Sequence, residues 1–567
     1  MSTADRSRGD TGEAIFEQAS RHTLALNPLV SLRSEDLLQS AGILLKAMVN
    51  EPKVASEQWM SFLGELGEVM GGRSERQPEA GDKRFADPTW ANSGVHSRLL
   101  KAYLAWGHAL DTFVDRTSLG DVDKQRAHLI TTIWIDALAP TNSLLANPTA
   151  VRKLLDTGGQ SVWQGFQHFL EDVTKHGGLP SQVDRSAFKV GVDLAATPGA
   201  VVFRNEILEL VQYTPTTAKV WRRPLVITPP QINKYYAVDL SPDKSMVRFL
   251  LDSGIQTFCI SWRNPDVSHR DWGLDSYVAA IDEAVDAVRD ITGCDDISMM
   301  GSCSGGITSS SYFATLGAAQ HKIRNMILAV CILDFGTFGE SSFGSLITPE
   351  TMAAAKASSN LRGVLDGDDL ARMFAWMRPN DLIWNYWVNN YLLGNPPPAF
   401  DILFWNADTT RLPARLHGDY IDLYSSNPFV KPGTLKLNDT AVDLRAVKAD
   451  SYVIAGVTDH ITPWKSVYQT ALLMGHDTTF VLANSGHLQS LINPPTNKKA
   501  SYMIGAVDPA GPDAFLNRAE KRQGSWWLDW REWLHQRSDG EVDAPPVLGS
   551  TRHPRLMDAP GSYVFEQ

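Results

Sequence analysis

From residue 23 to about residue 175, apolar positions recur at helical spacing: Leu99, Tyr103, Trp106, Leu110 and Phe113 fall 4, 3, 4 and 3 residues apart, on one face of a helix. A second stripe, Trp163, Phe166, Leu170 and Val173, stops at Gly177 and Gly178 with Pro180 beyond, the usual chemistry of a helix end. Glycine and charge between residues 71 and 87 predict a mobile loop within this helical part. After about residue 217 the pattern changes to short β-branched runs separated by helical windows, which predicts a parallel α/β sheet. Strands are expected at 225–228, 257–261, 297–301, 325–333, 452–455 and 479–482, with helices such as 276–289 and 307–316 between them. About 110 residues separate Asp334 from Val442, against the roughly 2 to 6 of an ordinary connection, so an inserted domain is expected there. The insert holds Phe374, Trp376, Trp384, Tyr386, Trp387, Phe404 and Trp405, the most aromatic stretch of the chain. The domain plan is a mainly helical 1–217, a first part of an α/β core at 218–334, an inserted cap or lid at 335–442, and the rest of the core with a terminal segment at 443–567.

Length and charge narrow the class. A chain of 567 residues has room for two to four domains and a large core. Its 64 acidic against 52 basic residues, a net charge of −12, disfavour a surface that gathers phosphodiester backbones, so nucleic acid is not an expected partner. The four cysteines, Cys259, Cys294, Cys303 and Cys331, lie 35, 9 and 28 residues apart, with no CxxC pair and no metal-ligand spacing. No metal site is expected, and a reducing cytoplasm fits best. The N-terminus lacks the apolar stretch of a secretory signal, and the longest strongly apolar run, 326–333, is eight residues, far short of the roughly 20 that span a bilayer. No transmembrane segment is expected.

Candidate chemistry begins at GSCSGG, residues 301–306, where a predicted strand runs into a helix of small residues. This is the G-x-nucleophile-x-G elbow of the α/β-hydrolase fold, with Cys303 where serine is usual. Chance would place a cysteine between two such glycines only about 0.02 times in a chain of this composition. In this fold the acid and then the histidine follow the nucleophile, each on a loop after a strand. Asp459 in GVTDHITPW and His487 in ANSGHLQS meet that order; Asp334, just past the Cys331 strand, is a rival acid. The other histidines, His460 and His476 among them, are read as solvated or structural. Oxyanion donors are expected from the Ser304 N–H and from the loop TPPQINKYY, where Pro229 and Pro230 have no N–H to give and Ile232 is preferred over Gln231. A cysteine exchanges one thioester for another and keeps the acyl group activated, so a thiol elbow beneath an aromatic cap predicts acyl transfer from a thioester to a hydroxyl, away from water.

These residues, with PPQINKYYAVDLSP from Pro229, TPGAVVFRNEILELVQY from Thr197, SWRNP from Ser261, SGHLQSLINPP around His487 and GSWWLDWREWL from Gly524, resemble the polyhydroxyalkanoate synthases over roughly residues 90–540. The serines on either side of Cys303 resemble the class II, medium-chain enzymes of that family. The resemblance implies polymerisation of (R)-3-hydroxyacyl-CoA into polyester with release of CoA. Cys303 would carry the chain as a thioester, His487 would act as base, and Asp459 would either orient His487 or activate the incoming hydroxyl. No cofactor beyond the CoA thioester substrate is implied. The implied partners are the growing polyester, its granule surface, a second copy in a homodimer and granule-associated proteins, with the enzyme cytoplasmic at the granule surface. The competing readings are a cysteine-type hydrolase of polyesters or lactones and a non-catalytic granule protein, which would have no need to keep all three triad residue types in order.

Overall fold

The computed structural model describes residues 34–79, 82–175, 178–317, 321–337, 349–367, 379–446, 448–475 and 477–567. Phe374, Trp376 and His476 lie outside them. Two compact units result, one from residues 31–184 and 371–399, the other from 185–370 and 400–567. The division departs from the four consecutive segments expected above. The inserted stretch is shared between the units, and the first boundary falls at Asp184/Arg185 because residues 199–213 are two strands, not helix.

The larger unit is built on a twelve-stranded sheet. Its strands are β1 Gly199–Arg204, β2 Leu208–Tyr213, β3 Lys219–Thr228, β4 Ile255–Trp262, β5 Ile297–Ser302, β6 Ile323–Ala329, β7 Asp450–Gly456, β8 Thr478–Ala483, β9 Ser501–Ala506, β10 Glu520–Gln523, β11 Glu541–Asp543 and β12 Met557–Asp558. The order is β10-β9-β8-β7-β6-β5-β3-β4-β2-β1-β12, with β11 on the outer end of β3. The six strands from β8 to β4 are parallel, and antiparallel strands extend both edges. All six predicted strands are present. The fourth stops at Ala329, short of the predicted Leu333, because Val330 turns to φ 47°. The strands of the parallel core are almost wholly buried, as a sheet covered on both faces requires. One cover is the Leu274–Thr292 helix, which buries Leu274, Val278, Ile281, Val285 and Val288 at helical spacing and ends on left-handed Gly293.

The chain leaves β3 for β4 on one side and returns to β5 on the other, so β3 and β5 flank a topological switch point. Crevices form at the carboxyl ends of such strands. Thr228 pairs with Gly301, Ser302 with Ala329, and Gly456 with Ala483, which brings the loops after β3, β5, β6, β7 and β8 to one edge.

The helical unit includes Ser34–Asn50, Pro52–Met70, Gly94–Arg116, Asp121–Ala137 and Gln160–Lys175. Phe113, Val114, Leu44, Ala127 and Ile130 form one core cluster; Phe85, Trp90, Leu100 and Tyr103 form another. The predicted stripe on Gly94–Arg116 is partly right, since Tyr103 and Phe113 are buried but Leu99 is exposed. The Gln160–Lys175 stripe faces outward on this unit, with Trp163, Phe166, Leu170 and Val173 all exposed. The helix instead buries Ser161, Gly165 and Asp172. A Cβ on Gly165 would collide with the Tyr391 carbonyl, and Asp172 accepts the Tyr391 hydroxyl at 2.7 Å, so close backbone approach of residues 379–399 decides which face is inside.

Candidate active site

Cys303 sits between β5 and the Ser304–Thr315 helix at φ 49°, ψ −124°. A non-glycine residue there costs about 1–3 kcal/mol of backbone strain, and the neighbourhood must enforce it. The Cys303 N–H donates to Ala329 O at 3.0 Å, while its carbonyl accepts from the Gly306 and Ile307 N–H groups at 2.9 and 3.2 Å. The flanking glycines are required by contact: a Cβ at Gly305 would run into the Thr228 and Pro229 carbonyl oxygens, and one at Gly301 into Gly306 and Ser309. The turn therefore lifts the thiol out of the sheet edge, and Cys303 is half-buried while Cys259 and Cys331 are fully buried.

His487 begins a short helix after β8, and its imidazole lines the same small cavity as Cys303. Its Nδ1 lies 2.7 Å from Asp459 Oδ2. The Asp459 carboxylate is saturated. Oδ2 also accepts the Thr462 hydroxyl at 2.6 Å, and Oδ1 accepts the Ile461 and Thr462 N–H groups, both at 2.9 Å. Burial works to raise the Asp459 carboxyl, but the imidazole and the Thr462 donors outweigh it and hold the carboxyl below its ordinary value. For His487 burial works downward, and the Asp459 carboxylate with the Cys303 thiol overcomes it, holding the imidazolium above its ordinary value.

Asp334, the rival acid, is placed elsewhere: its Oδ1 accepts from the Gly336 N–H at 2.9 Å and from Asn427 Nδ2 at 2.8 Å. His460 is exposed. In the loop after β3, the Gln231 N–H donates to Ser304 Oγ at 3.3 Å, which leaves Ile232 as the first N–H with no acceptor among the described residues. Ile232, Cys303 and His487 line one small cavity, with Pro230, Asn233, Ala237, Ser302, Val330, Trp405, Leu488 and Leu491. Its free space is about 30 Å³, and its walls are mostly apolar.

Of the aromatic residues expected in a lid, Trp405 lines this cavity and is 2% exposed. Phe404 packs on Phe188, and Trp384 and Trp387 pack on one another in the helical unit. Three features escaped the sequence reading. Thr462 donates to Asp459, and the D-x-x-T spacing in TDHIT is its only trace. A buried network joins Gln231, Thr308 and Tyr420: Gln231 Nε2 donates to Thr308 Oγ1 at 2.9 Å and the Tyr420 hydroxyl to Gln231 Oε1 at 3.0 Å. Lys234 is buried within the loop after β3, without any period-based signal. Among the described residues, no group of three or more His, Cys, Asp or Glu side chains could hold a metal ion, and no helix is long and apolar enough to cross a membrane.

A mostly parallel sheet with a strained elbow at its carboxyl edge places the chain in the α/β-hydrolase class, and the family model described as "alpha/beta hydrolase fold" matches residues 224–494. The model for the "Poly-beta-hydroxybutyrate polymerase (PhaC) N-terminus" matches residues 81–250. The sequence is 47% identical over 558 residues to poly(3-hydroxyalkanoate) polymerase 1 of Ectopseudomonas oleovorans, covering 98% of this chain and 99% of that protein. It is 49% identical over 541 residues to polymerase 2 of the same organism, covering 95% and 96%. It is 38% identical over 517 residues to the polymerase subunit PhaC of Cupriavidus necator, covering 90% and 87%. The chain belongs to the poly(3-hydroxyalkanoate) polymerase family.

Proposed function

We propose that this acyltransferase polymerises (R)-3-hydroxyacyl-CoA of medium chain length into polyester through a thioester on Cys303. The observation that carries the mechanism is the His487–Asp459 hydrogen bond with His487, Cys303 and Ile232 lining one cavity, and Ser304 following Cys303 at the start of its helix. His487 takes the Cys303 thiol proton, the sulfur attacks the thioester carbonyl, and the oxyanion is met by the Ser304 and Ile232 N–H groups. CoA departs with a proton from His487, leaving acyl-Cys303. His487 then takes the proton of the incoming 3-hydroxyl, whose oxygen displaces the sulfur and forms the ester. Asp459 is assigned the orienting role, because both of its oxygens are filled by His487, Ile461 and Thr462 and none is left for a hydroxyl. The apolar cavity wall supports transfer over hydrolysis, since a dry site protects the acyl-enzyme from water. Work as a homodimer at the surface of a cytoplasmic polyester granule, with granule-associated proteins, belongs to the same reading.

The test supplies purified protein with 3-hydroxyoctanoyl-CoA and measures CoA release and insoluble polyester together. Both are expected. CoA release without polymer would make the chain a hydrolase, and neither would make it a binding protein.

A further inference from the structure

The loop that carries Ile232 is held from two sides. Toward the cavity, the Thr410 hydroxyl donates to Gln231 O, the Thr410 N–H to Ile232 O at 2.8 Å, and Trp405 Nε1 to Lys234 O at 2.7 Å. These bonds fix carbonyls and leave the Ile232 N–H free. The loop's own side chains add further ties: Gln231 bonds Thr308 and Tyr420, Asn233 Nδ2 donates to Asn406 O at 3.3 Å, and Lys234 reaches the 562–567 segment. Lys234 is 3% exposed, does not line the cavity, and sends its ammonium to Glu566 O at 2.5 Å and Tyr563 O at 3.4 Å.

That acceptor segment, residues 562–567, is itself strapped down. The Ser562 and Tyr563 N–H groups donate to the buried Glu209 carboxylate at 2.8 and 3.0 Å, and the Tyr563 hydroxyl donates to Asn205 O at 2.7 Å. Arg263 stands 5.0 Å over the Tyr563 ring and 3.3 Å from the Glu566 carboxylate. Asn264 Nδ2 donates to Glu566 O and Arg411 Nη1 to Gln567 O, both at 3.3 Å. A buried ammonium is costly unless paired and hydrogen-bonded, so a lysine satisfied by two main-chain carbonyls holds loop and strap in one register. Burial lowers the Lys234 pKa, against the pull of Asp408 and Glu566, in keeping with an ammonium removed from water.

We infer that Lys234 is a positioning residue for acyl transfer: its bonds to the 562–567 segment set the place of the Ile232 N–H, so a strap remote from Cys303 tunes the oxyanion site. The inference rests on the proposed role of Ile232, and the experiment separates the two. Acylation of Cys303 by 3-hydroxyoctanoyl-CoA is followed in single-turnover reactions, and alkylation of Cys303 by iodoacetamide, which needs no oxyanion donor, is followed beside it. Lys234→Met is expected to slow acylation at saturating substrate by about ten- to a hundredfold, part of the roughly 10²–10³ carried by one oxyanion donor. Alkylation should stay within about twofold of wild type. Tyr563→Ala, which loosens the strap and leaves Lys234 in place, should give the same split, and Lys234→Arg should recover part of the loss. Unchanged acylation in Lys234→Met, or equal losses of acylation and alkylation in both variants, would overturn the inference. Wild-type protein that is alkylated yet never acylated would overturn the proposed function itself.

Discussion

Asp459→Asn separates the two roles open to this residue. The amide cannot accept on both atoms, and its best fit keeps the oxygen on the Ile461 and Thr462 N–H groups, now at 2.9 Å, and turns the NH₂ toward His487. The imidazole must then carry its proton on the nitrogen facing Cys303 and cannot act as base. General-base catalysis is worth about 10²–10⁴ in rate, so that is the loss expected when the imidazole is held in the wrong tautomer. With His487 serving both half-reactions as proposed, acylation and elongation should fall together, by comparable factors. The assay is rapid-quench measurement of CoA release in the first turnover, with mass spectrometry of Cys303. The His487 ring resonance supplies an independent reading: in wild type the carboxylate holds the imidazolium above its ordinary value, so its titration midpoint should drop in the variant, where burial acts unopposed by that charge. Acyl-Cys303 that accumulates at the wild-type rate while elongation stops would refute the orienting role, and an unmoved midpoint would refute the electrostatic argument.

Sheet elements covered on both faces were the most legible part of the fold. Apolar runs at β3 through β8 have one physical cause, burial between helix layers, and all six were found. The edge strands gave a weaker signal. In β10 the sequence is Glu-Lys-Arg-Gln and none of it is buried, so its backbone pairing with β9 leaves no hydrophobic pattern to read. The helical stripe at Trp163 shows the converse limit, where period placed the helix correctly but not its buried side. One glycine, Gly165, allowing contact with Tyr391, outweighed four large apolar side chains.

The site was legible where chemistry demands residue type and spacing together. Glycines at 301 and 305 are forced by backbone contacts, and the order of Cys303, Asp459 and His487 follows from the strand order of the sheet. Ile232 could be reached by eliminating prolines, and Gln231 is removed by its bond to Ser304 Oγ. Lys234 was hidden because its partners lie more than 150 residues away in sequence: its ammonium bonds Glu566 O, and Trp405 reaches back to its carbonyl. Contacts between distant loops have no period, so no local pattern can announce them.

Cys303→Ser should lose nearly all polymerisation, because a hydroxyl is the weaker nucleophile and its ester the poorer donor; a rate near wild type by CoA release would move the nucleophile elsewhere. Thr462→Val keeps the shape but removes a donor to Asp459 Oδ2 at 2.6 Å, and should slow first-turnover acylation by roughly tenfold, about one to one and a half kcal/mol; an unchanged rate would show that the Ile461 and Thr462 N–H groups suffice. Stability should also report the pair. The depressed Asp459 carboxyl stabilises above its unfolded value and loses that on acidification, whereas the raised His487 stabilises below about 6.5 and loses that as pH climbs through its folded value. The urea midpoints of wild type and Asp459→Asn should therefore differ most at mildly acidic pH, between about 4 and 6.5, and converge at both ends; a constant gap would contradict the linkage. The last prediction concerns substrate length. The free space beside Cys303 is only about 30 Å³, so an eight-carbon acyl group must displace part of the wall, and Trp405 is its largest side chain. Trp405→Phe and Trp405→Ala both lose the Nε1 bond to Lys234 O, so the difference between them reports size alone. At about 0.8 kcal/mol per methylene accommodated, room for two of the four extra carbons is worth on the order of tenfold, and the eight- to four-carbon ratio of kcat/KM should be higher in the Ala variant than in the Phe variant by that order. Trp384→Ala and Trp387→Ala, in the helical unit, should leave the ratio unchanged. Equal ratios in the two Trp405 variants would remove Trp405 from the acyl pocket, and a shift in Trp384→Ala or Trp387→Ala would put the helical unit into chain-length selection.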